Sequence, residues 1–487
     1  MGNDRFFKLL VKKYLKKKGL PERPALTFSD VVIQDNFSSI RSRSDILNLK
    51  TRLAADIWLN IPIVSANMDT VTDSKMAIAL ARVGGLGFIH QFFSLDDRVK
   101  EVAKVKRADN AVIEQPEKIK RSATLDKAKK IMEKCGFSSI LVVDENNKLA
   151  GILTSRDYRF KNNGRVRVDS IMTPMPLITA GPDITRHEAE TLMEKHKIEK
   201  LPLINENGEV VGLITAKDML KEKSYPDAVR DSKGRLRVGV TIRLNADYIH
   251  EAEELIASGA DVLLLDTARA NSKLALDATV EIKKKFPKIA LVVGNIDTPE
   301  AAIMLIKAGA DCLKVGIGPG SVCKTREVAG VGIPQLSAIA CCAAMAKKKN
   351  IPLIADGGIK NGADLSKALV AGANAVMIGG LFAGTDESPG EFFRDANQQW
   401  KIYRGSASLE HQFDRIEFGS LDTMRTPEGV PRRIPYTGSV KNVIEELLDG
   451  LRSSMSYVGA ADLNEFWKKG KFVWQTVSGY EEGKPRI

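Results

Sequence analysis

The chain has 487 residues, of which 44% are apolar, and its 73 basic and 61 acidic side chains give a formal net charge of +12. This length leaves room for about two to four domains with full hydrophobic cores, and the sequence has no apolar run of about 18 residues that could span a membrane. Five cysteines without a CxxC pair argue against a disulfide framework and a zinc site, and they favour a reducing, cytoplasmic location.

The first segment of the chain is basic and amphipathic. It reads "RFFKLLVKKYLKKKGLPERP" and lacks the apolar core and cleavage site of a secretory signal. Such an arm could contact nucleic acid or anionic lipid, or it could be a solvated helix that packs Phe6, Leu9, Leu10 and Leu15 on the protein. One terminal segment is not a nucleic-acid footprint, so we expect neither a nucleic-acid nor a membrane partner. The positive charge also suits anionic substrates such as nucleotides.

Beyond this arm, short apolar runs alternate with helical stretches on both sides of one interior segment. Such near-continuous apolar runs are typical of buried parallel strands, and eight strand–helix repeats are the number that closes a TIM (β/α)8 barrel. An open, doubly wound sheet is the alternative, although the chain lacks a suitable G-x-G-x-x-G turn. The predicted strands are residues 61–66, 85–89, 237–242, 261–266, 290–295, 311–316, 352–357 and 374–379.

The interior segment, inserted after the second strand, contains an internal repeat. "FSSILVVDENNKLAGILTSRD" (137–157) matches "IEKLPLINENGEVVGLITAKD" (198–218), and each copy follows an amphipathic helix. Each copy predicts a strand, a turn, a second strand and a short helix, so that two copies form one paired module. The predicted domains are residues 1–91, with the arm and strands 1–2, the module at 92–222, and the rest of the barrel at 223–487.

This repeat resembles a tandem CBS (Bateman) module, whose family commonly binds adenine or guanine nucleotides. The resemblance implies that Asp157 and Asp218, beside Thr154 and Thr215, contact a ribose. The alternative is a module that serves only dimerisation.

In a barrel of this kind, the functional site lies on the loops that follow the strands. Gly-Gly pairs follow strand 7, at Gly357 and Gly358, and strand 8, at Gly379 and Gly380. Backbone N–H groups can approach an anion closely there, which predicts a phosphate group on the substrate, although tight turns need glycine anyway. Asp356, at the tip of strand 7, is placed to accept hydrogen bonds from ribose hydroxyls.

The loop after strand 6 carries a cysteine among glycines, in "KVGIGPGSVCKTREVAGVG" (314–332). Cys312, inside strand 6, has the apolar neighbours of a structural cysteine, whereas Cys323 is flanked by polar residues, glycines, Lys324 and Arg326. Nearby cations and free loop N–H groups favour the thiolate, which is the attacking species. Cys323 is therefore the predicted nucleophile, and an inert loop cysteine is the alternative.

Several long motifs resemble the IMP dehydrogenase/GMP reductase family. They are "VGIGPGSVCKTREVAGVGIPQ", "SANMDTVT", "GFIHQ", "IADGGIKNGADLSKALVAGANAVMIGG" and "AGTDESPGE", and the resemblance runs from Leu26 to the end of the chain. It implies that Cys323 attacks C2 of the purine of a 5′-mononucleotide, that hydride moves between C2 and a nicotinamide cofactor, and that Thr325 is the catalytic threonine.

The resemblance also implies binding residues. Glu428 would read the N1/O6 edge of hypoxanthine. A potassium ion would bind the carbonyls of Gly318, Gly320 and Cys323, together with Glu482, Gly483 and Lys484 of a neighbouring subunit, in a homotetramer that paired modules could stack into an octamer. The other implied nucleotide contacts are Ser65, Ser321, Asp356, Gly357, Gly358, Gly379, Gly380, Tyr403, Arg404, Gly405, Ser406 and Ala407, and the cofactor contacts are Asp266, Asn295, Gly316, Ile317 and Gly318.

Two activities share this machinery. "REVAGVG", the repeat module and "PEGV" favour the dehydrogenase, which oxidises IMP to XMP with NAD, whereas "SANMDTV", "PQLSAI" and "SYVGAADL" are also at home in the reductases, which convert GMP to IMP with NADPH. The flap "GSASLEHQFDRIEFGSLDTMRTPEGV" is atypical: Arg415 is the candidate water-activating base, but Ile416 replaces the family's tyrosine, and Glu410 lies near the reductases' acidic residue. The prediction is the dehydrogenase in guanine nucleotide biosynthesis, with the reductase and a non-catalytic nucleotide sensor as alternatives.

Overall fold

The chain divides into two compact units, one from the positions up to 105 and from 237 onwards, the other from 106–236. None of the helices in the described part of the chain has the length and apolarity that a membrane crossing requires. The computed structural model describes residues 25–46, 48–109, 112–113, 116–135, 138–160, 163–216, 219, 224–244, 247–395, 398–409 and 426–485.

The larger unit is built around a closed barrel of eight parallel strands. Every predicted strand is present, and the first pairs with both the second and the last, so the sheet has no open edge. The doubly wound alternative is therefore wrong, and the barrel prediction is confirmed. The strands are β1 (Ile63–Ser65), β2 (Leu86–Ile89), β3 (Gly239–Ile242), β4 (Val262–Asp266), β5 (Ala290–Ile296), β6 (Cys312–Val315), β7 (Leu353–Asp356) and β8 (Ala375–Ile378).

Helices alternate with these strands and begin at clear sequence signals. Asp73, Ser272, Thr298 and Asn361 each cap a helix by accepting a hydrogen bond from a backbone N–H of its first turn, which satisfies donors that the helix itself cannot pair. The helices are α1 (Ser74–Arg82), α2 (Leu95–Ala108), α3 (Tyr248–Ala257), α4 (Lys273–Lys285), α5 (Pro299–Ala308), α6 (Gln335–Lys348), α7 (Gly362–Val370) and α8 (Val440–Val458).

Smaller elements surround the barrel. A three-stranded antiparallel sheet, Phe392–Arg394, Gln399–Arg404 and Pro431–Pro435, follows β8 and carries Tyr403 and Arg404 toward the loops. The other elements are the 3-10 helices Phe28–Asp30 and Arg43–Asp45, the paired strands Val31–Ile33 with Phe472–Trp474 and Thr51–Ala54 with Ile57–Leu59, and the short helices Thr325–Val328, Gly380–Ala383, Leu463–Lys469 and Val477–Glu482.

The smaller unit contains the two repeat copies, each with a helix followed by two antiparallel strands. Each half has its own buried apolar cluster, and a third cluster joins strands of both halves through Leu141, Val143, Val210 and Leu213. Its elements are the strands Val112–Ile113, Lys118–Lys120, Ser139–Val143, Leu149–Thr154, Thr173–Pro174, Lys200–Ile204 and Val210–Thr215, the helices Leu125–Cys135, Ser155–Tyr158 and Arg186–His196, and the 3-10 helix Val168–Ser170.

The unit boundaries at 106 and 236 lie C-terminal to the boundaries of 92 and 222 drawn from the repeat. The reason at the first boundary is α2, which begins at Leu95 and whose Arg98 is fully buried. Arg98 forms a 2.7 Å ion pair with Glu251 of α3 and donates to the carbonyl of Thr241 in β3 at 2.9 Å. These contacts attach the start of α2 to the barrel.

Candidate active site

The glycine-rich loop after β6 presents the thiol of Cys323 on the surface of the barrel unit. Cys323 is exposed, and its Sγ lies 3.2 Å from Oγ1 of Thr325, at the start of the short helix Thr325–Val328. In contrast, Cys312 in β6 is buried, and burial raises the pKa of its thiol well above the usual range. The structure therefore distinguishes an accessible thiol with a hydroxyl partner from a buried one.

Arg326 holds this loop in shape. Its Nε donates to the carbonyl of Ile317 at 3.0 Å and its Nη2 to the carbonyl of Ile333 at 2.6 Å. The planar guanidinium can serve both ends of the loop at once because its donors diverge. The sequence predicted only that Arg326 is a cation near Cys323. In the structure, Arg326 clamps the loop by joining its two ends through hydrogen bonds.

The last residues of the flap sequence pair with the cysteine loop. The backbone N–H of Lys324 donates to the carbonyl of Glu428 at 2.6 Å, and that of Val430 donates to the carbonyl of Val322 at 3.1 Å. The N–H of Glu428 in turn donates to the carbonyl of Ala407 at 3.2 Å. Three segments that are distant in sequence thus meet beside Cys323.

The predicted phosphate loops converge on one corner. Gly357 and Gly358 both have positive φ angles, 90° and 84°, which favour glycine. A Cβ atom added to Gly379 would lie 2.7 Å from Oη of Tyr403, and one added to Gly380 would lie 3.2 Å from Oγ of Ser321. An added side chain would therefore clash at Gly379 and be crowded at Gly380, while Gly357 and Gly358 adopt backbone conformations that favour glycine.

Tyr403 is almost completely buried in this corner. Burial raises the pKa of its phenol, and a hydrogen bond with Ser321 partly opposes that rise. The phenol is therefore neutral at any physiological pH and can donate a hydrogen bond to an anion.

Two predicted nucleotide contacts are engaged within the protein. The Nε of Arg404 donates to Oδ2 of Asp69 at 2.9 Å, and its backbone N–H donates to Oγ1 of Thr70 at 3.2 Å. Ser65, at the end of β1, is fully buried and lies 2.8 Å from Oγ1 of Thr72.

A charged cluster fills the barrel mouth below the loops. The Nζ of Lys314, in β6, lies 2.9 Å from Oδ1 of Asp266 and 2.6 Å from Oδ2 of Asp356. Asn67 donates to Oδ2 of Asp266, and Asn295 donates to Oδ2 of Asp356, both at 2.8 Å. Lys314 and Asn67 were not among the residues predicted from the sequence. The available signal was a lysine inside the otherwise apolar strand "DCLKVG".

The predicted cofactor side adjoins this cluster. The Nδ2 of Asn295 donates to the carbonyl of Gly316 at 2.6 Å, so β5 and the start of the β6 loop meet. The Oδ1 of Asn295 is buried and has no hydrogen-bond partner among the described residues. Gly318 has a φ of 82°, and the carbonyl of Gly320 accepts from the N–H of Cys323 at 3.1 Å.

Some predicted residues are not part of this assembly. Arg415, Ile416 and Glu410 lie outside the described residues. Glu482 ends the C-terminal helix Val477–Glu482, Gly483 follows it, and Nζ of Lys484 pairs with Glu481 at 2.6 Å. Within the described ranges, no group of three or more His, Cys, Asp or Glu side chains could hold a metal ion, which does not bear on a site made of carbonyls.

Comparison with known proteins agrees with this architecture. A family model for the IMP dehydrogenase / GMP reductase domain matches residues 25–486. Inosine-5'-monophosphate dehydrogenase of Aquifex aeolicus is 44% identical over 466 residues, covering 94% of this chain and 95% of that protein. The protein of the same name from Helicobacter pylori is 46% identical over 463 residues, with 94% and 95% covered.

Solved structures of GMP reductase also match the chain over most of its length. A cysteine-to-alanine variant of GMP reductase from Trypanosoma brucei, in complex with guanosine 5'-monophosphate, is 37% identical with a TM-score of 0.91, covering 96% of this chain and 99% of that one. GMP reductase from the same organism, in complex with guanosine 5'-triphosphate, is 35% identical with a TM-score of 0.80, and the coverage is 94% and 100%. From the matched family model and these relatives, the chain belongs to the IMP dehydrogenase/GMP reductase family.

Proposed function

We propose that this chain is an NAD-dependent IMP dehydrogenase that oxidises IMP to XMP. The observation that carries the proposal is the 42–46% identity to relatives of that name, over 94–95% of this chain. The exposed thiol of Cys323, 3.2 Å from the Thr325 hydroxyl, supports it, because the reaction needs a nucleophile and a group that handles water.

In the proposed reaction, the Cys323 thiolate adds to C2 of the purine and makes that carbon tetrahedral. Hydride then leaves C2 with its electron pair, and a covalent thioimidate remains. Water adds to C2, the C–S bond breaks, the water oxygen becomes the C2 carbonyl of XMP, and its protons pass to a base and solvent. A covalent intermediate divides one difficult step into two easier ones, and Thr325 is the proposed partner of the attacking water.

We assign the nucleotide to the corner built by the two Gly-Gly turns. The phosphate would accept hydrogen bonds from the backbone of the two Gly-Gly turns, Gly357 with Gly358 and Gly379 with Gly380. It would also accept from Ser321 and Tyr403. Asp356 would accept from ribose hydroxyls, and Glu428 would read the N1/O6 edge of the base by accepting from N1–H. Residues 405–407 would contribute backbone groups. Arg404 remains a proposed contact, although Asp69 holds its guanidinium and Thr70 accepts from its backbone N–H. Ser65 remains a proposed contact.

The residues on the opposite side of the loop fit a nicotinamide cofactor. The Oδ1 of Asn295 is a buried acceptor without a partner among the described residues, and a carboxamide N–H could satisfy it. Asp266 and the backbone of Gly316–Gly318 would complete this side. When bound, NAD supplies the hydride acceptor, while the protein supplies position and charge.

A potassium ion is the proposed second cofactor. Backbone carbonyls suit a hard monovalent cation. The N–H of Cys323 closes a turn onto the carbonyl of Gly320 at 3.1 Å, and Gly318 lies two residues before that turn. Glu482, Gly483 and Lys484 of a neighbouring subunit would add carbonyls in a homotetramer. Replacing KCl with LiCl at equal ionic strength tests this proposal: turnover should fall, and unchanged turnover would overturn it.

Arg415 remains the proposed base for water activation. The test is Arg415→Lys. It should slow hydrolysis of the adduct while leaving the single-turnover burst of NADH intact, and loss of the burst as well would contradict the assignment.

GMP reductase is the second candidate. The observation that favours it is the likeness to solved structures of GMP reductase, with TM-scores of 0.91 and 0.80, together with the atypical flap sequence. An absorbance assay decides between the two: NADH formation from IMP and NAD supports the dehydrogenase, and NADPH consumption with GMP and release of ammonia supports the reductase. Cys323→Ala should abolish turnover in either case while nucleotide binding persists.

For the smaller unit, we propose a CBS pair that binds a purine nucleotide and can stack tetramers into octamers. The Thr154 N–H and hydroxyl donate to Oδ2 of Asp157 at 2.6 and 2.9 Å, which places that carboxylate at a helix start, while Asp218 lies outside the described residues. Sedimentation with and without ATP or GTP tests the pairing. We further propose a cytoplasmic location, because a reducing compartment keeps the Cys323 thiol free.

A further inference from the structure

Lys314 is the most deeply buried charge at the barrel mouth. Its side chain is 3% exposed, compared with 17% for Asp266 and 22% for Asp356. The three residues come from three different strands, β6, β4 and β7. The single Nζ atom therefore bridges two carboxylates that reach the mouth from opposite sides of β6.

Without this lysine, electrostatic repulsion between the two carboxylates would oppose the ionisation of both. Because each has an oxygen within hydrogen-bond distance of one nitrogen, those oxygens lie no more than about 5.5 Å apart. At that separation and an effective dielectric constant of about 20, their repulsion corresponds to about two pH units. One of the pair would then hold a proton near neutral pH, as closely spaced carboxylates do.

The surroundings offer no other counter-charge among the described residues that face Lys314. Asn67 and Asn295 contribute neutral amide donors to the two carboxylates, and the phenol of Tyr403 near Asp356 is neutral. Burial lowers the pKa of Lys314, but Asp266 and Asp356 outweigh burial and raise the pKa above its ordinary value. The ammonium is thus a permanent charge.

We propose that Lys314 is a positioning residue that holds Asp266 and Asp356 ionised and aimed, and so ties the nicotinamide side of the site to the ribose side. This inference rests on the proposed function, because that function assigns Asp356 to the substrate and Asp266 to the cofactor. With the lysine in place, its ammonium pairs with both carboxylates and offsets their mutual repulsion. Without it, one of them takes up a proton, and the protonated oxygen becomes a hydroxyl donor in place of a charged acceptor.

The test compares Lys314→Met, which keeps the length of the side chain and removes its charge, with the wild type and with Lys314→Arg. The wild-type kcat/KM for IMP should show no acid-side loss from these carboxylates above pH 5.5. Lys314→Met should gain an ionisation between about pH 5.5 and 7, with kcat/KM about 2- to 30-fold lower at about pH 5.5 than at about pH 8. Lys314→Arg should restore the flat profile.

The double variant Lys314→Met with Asp266→Asn is the matched control. It removes the lysine together with one of the two repelling carboxylates, so the new acid limb should move back by more than one pH unit although overall activity is low. A merely structural lysine would lower activity by the same factor at every pH, and that result would overturn the proposal.

An infrared difference spectrum keeps the test independent of turnover. Lys314→Met should show a protonated carboxylic-acid band at pH 6 that the wild type lacks and that disappears when Asp356→Asn is added. Absence of this band would overturn the proposal even if the enzyme is active. Conversely, the wild type could turn over neither substrate pair while Lys314→Met still shows the band. That result would refute the proposed function but support the effect of Lys314 on Asp266 and Asp356. Should Lys314→Met fail to fold, Lys314→Gln serves for the same spectrum.

Discussion

Gly357→Ala should weaken binding of the nucleotide phosphate far more than it weakens the fold. Gly357 has a φ of 90°, which costs an alanine about 1–2 kcal/mol. The added Cβ would also lie 2.9 Å from Cγ of Pro319 and 3.1 Å from the backbone nitrogen of Gly320. The β7 turn and the cysteine loop must therefore separate by a few tenths of an ångström, at the corner that we assign to the phosphate.

The size of the effect follows from the lost hydrogen bond. A hydrogen bond to a charged group contributes about 1.5–3 kcal/mol, which corresponds to an increase in KM for IMP of about 10- to 150-fold, with a smaller change in kcat. Initial rates of NADH formation, or of NADPH consumption with GMP if the reductase is correct, provide the measurement.

Gly438→Ala is the matched control. Gly438 has a φ of 73° and no atom within 4 Å of an added Cβ, so it carries a similar backbone cost without the steric contact, and we place it in no binding role. Urea unfolding should show comparable losses of stability for the two variants. A KM for Gly357→Ala within about threefold of the KM for Gly438→Ala would refute the reasoning.

Three further results are expected. Arg326→Ala removes both hydrogen bonds that clamp the loop, to Ile317 and Ile333, and should lower kcat/KM at least about tenfold by the misplacement that follows; an effect no larger than that of Lys347→Ala on α6 would contradict the clamp. Arg98→Met removes the main counter-charge of the buried Glu251 and should lower the free energy of unfolding in urea by about 3–5 kcal/mol. Adding Glu251→Gln should recover part of that loss. Strictly additive losses in the double variant would contradict the proposed ion pairing. Burial would raise the pKa of Glu251, but Arg98 and Arg243 outweigh burial and hold the pKa below 4.5. The stability that the ionised Glu251 contributes is therefore present above about pH 4.5 and lost as the pH falls through the folded-state pKa. The difference in unfolding free energy between wild type and Arg98→Met should narrow below about pH 4, and a constant difference would exclude the linkage.

The strand and loop chemistry was readable because it is local. Each barrel strand is an apolar run of about five residues, and all eight were placed correctly because a fully buried parallel strand shows no alternation. Cys323 and the turns Gly357–Gly358 and Gly379–Gly380 were likewise recognisable from their immediate neighbours. The smaller compact unit begins 14 residues after the predicted module boundary at 92, and nothing local in α2 indicates that Arg98 pairs with Glu251.

The sequence by itself determined the barrel, the inserted repeat and the family, and it singled out Cys323 as the candidate nucleophile. Only the tertiary structure decided which side chains in the site remain available to bind a ligand. The guanidinium of Arg404 is hydrogen-bonded to Asp69, and Arg326 is hydrogen-bonded to the carbonyls of Ile317 and Ile333. It also brought Lys314 between Asp266 and Asp356. The physical reason is that apolar periodicity and glycine turns are short-range properties of the chain, whereas pairing among buried charges depends on which strands become neighbours when the barrel closes.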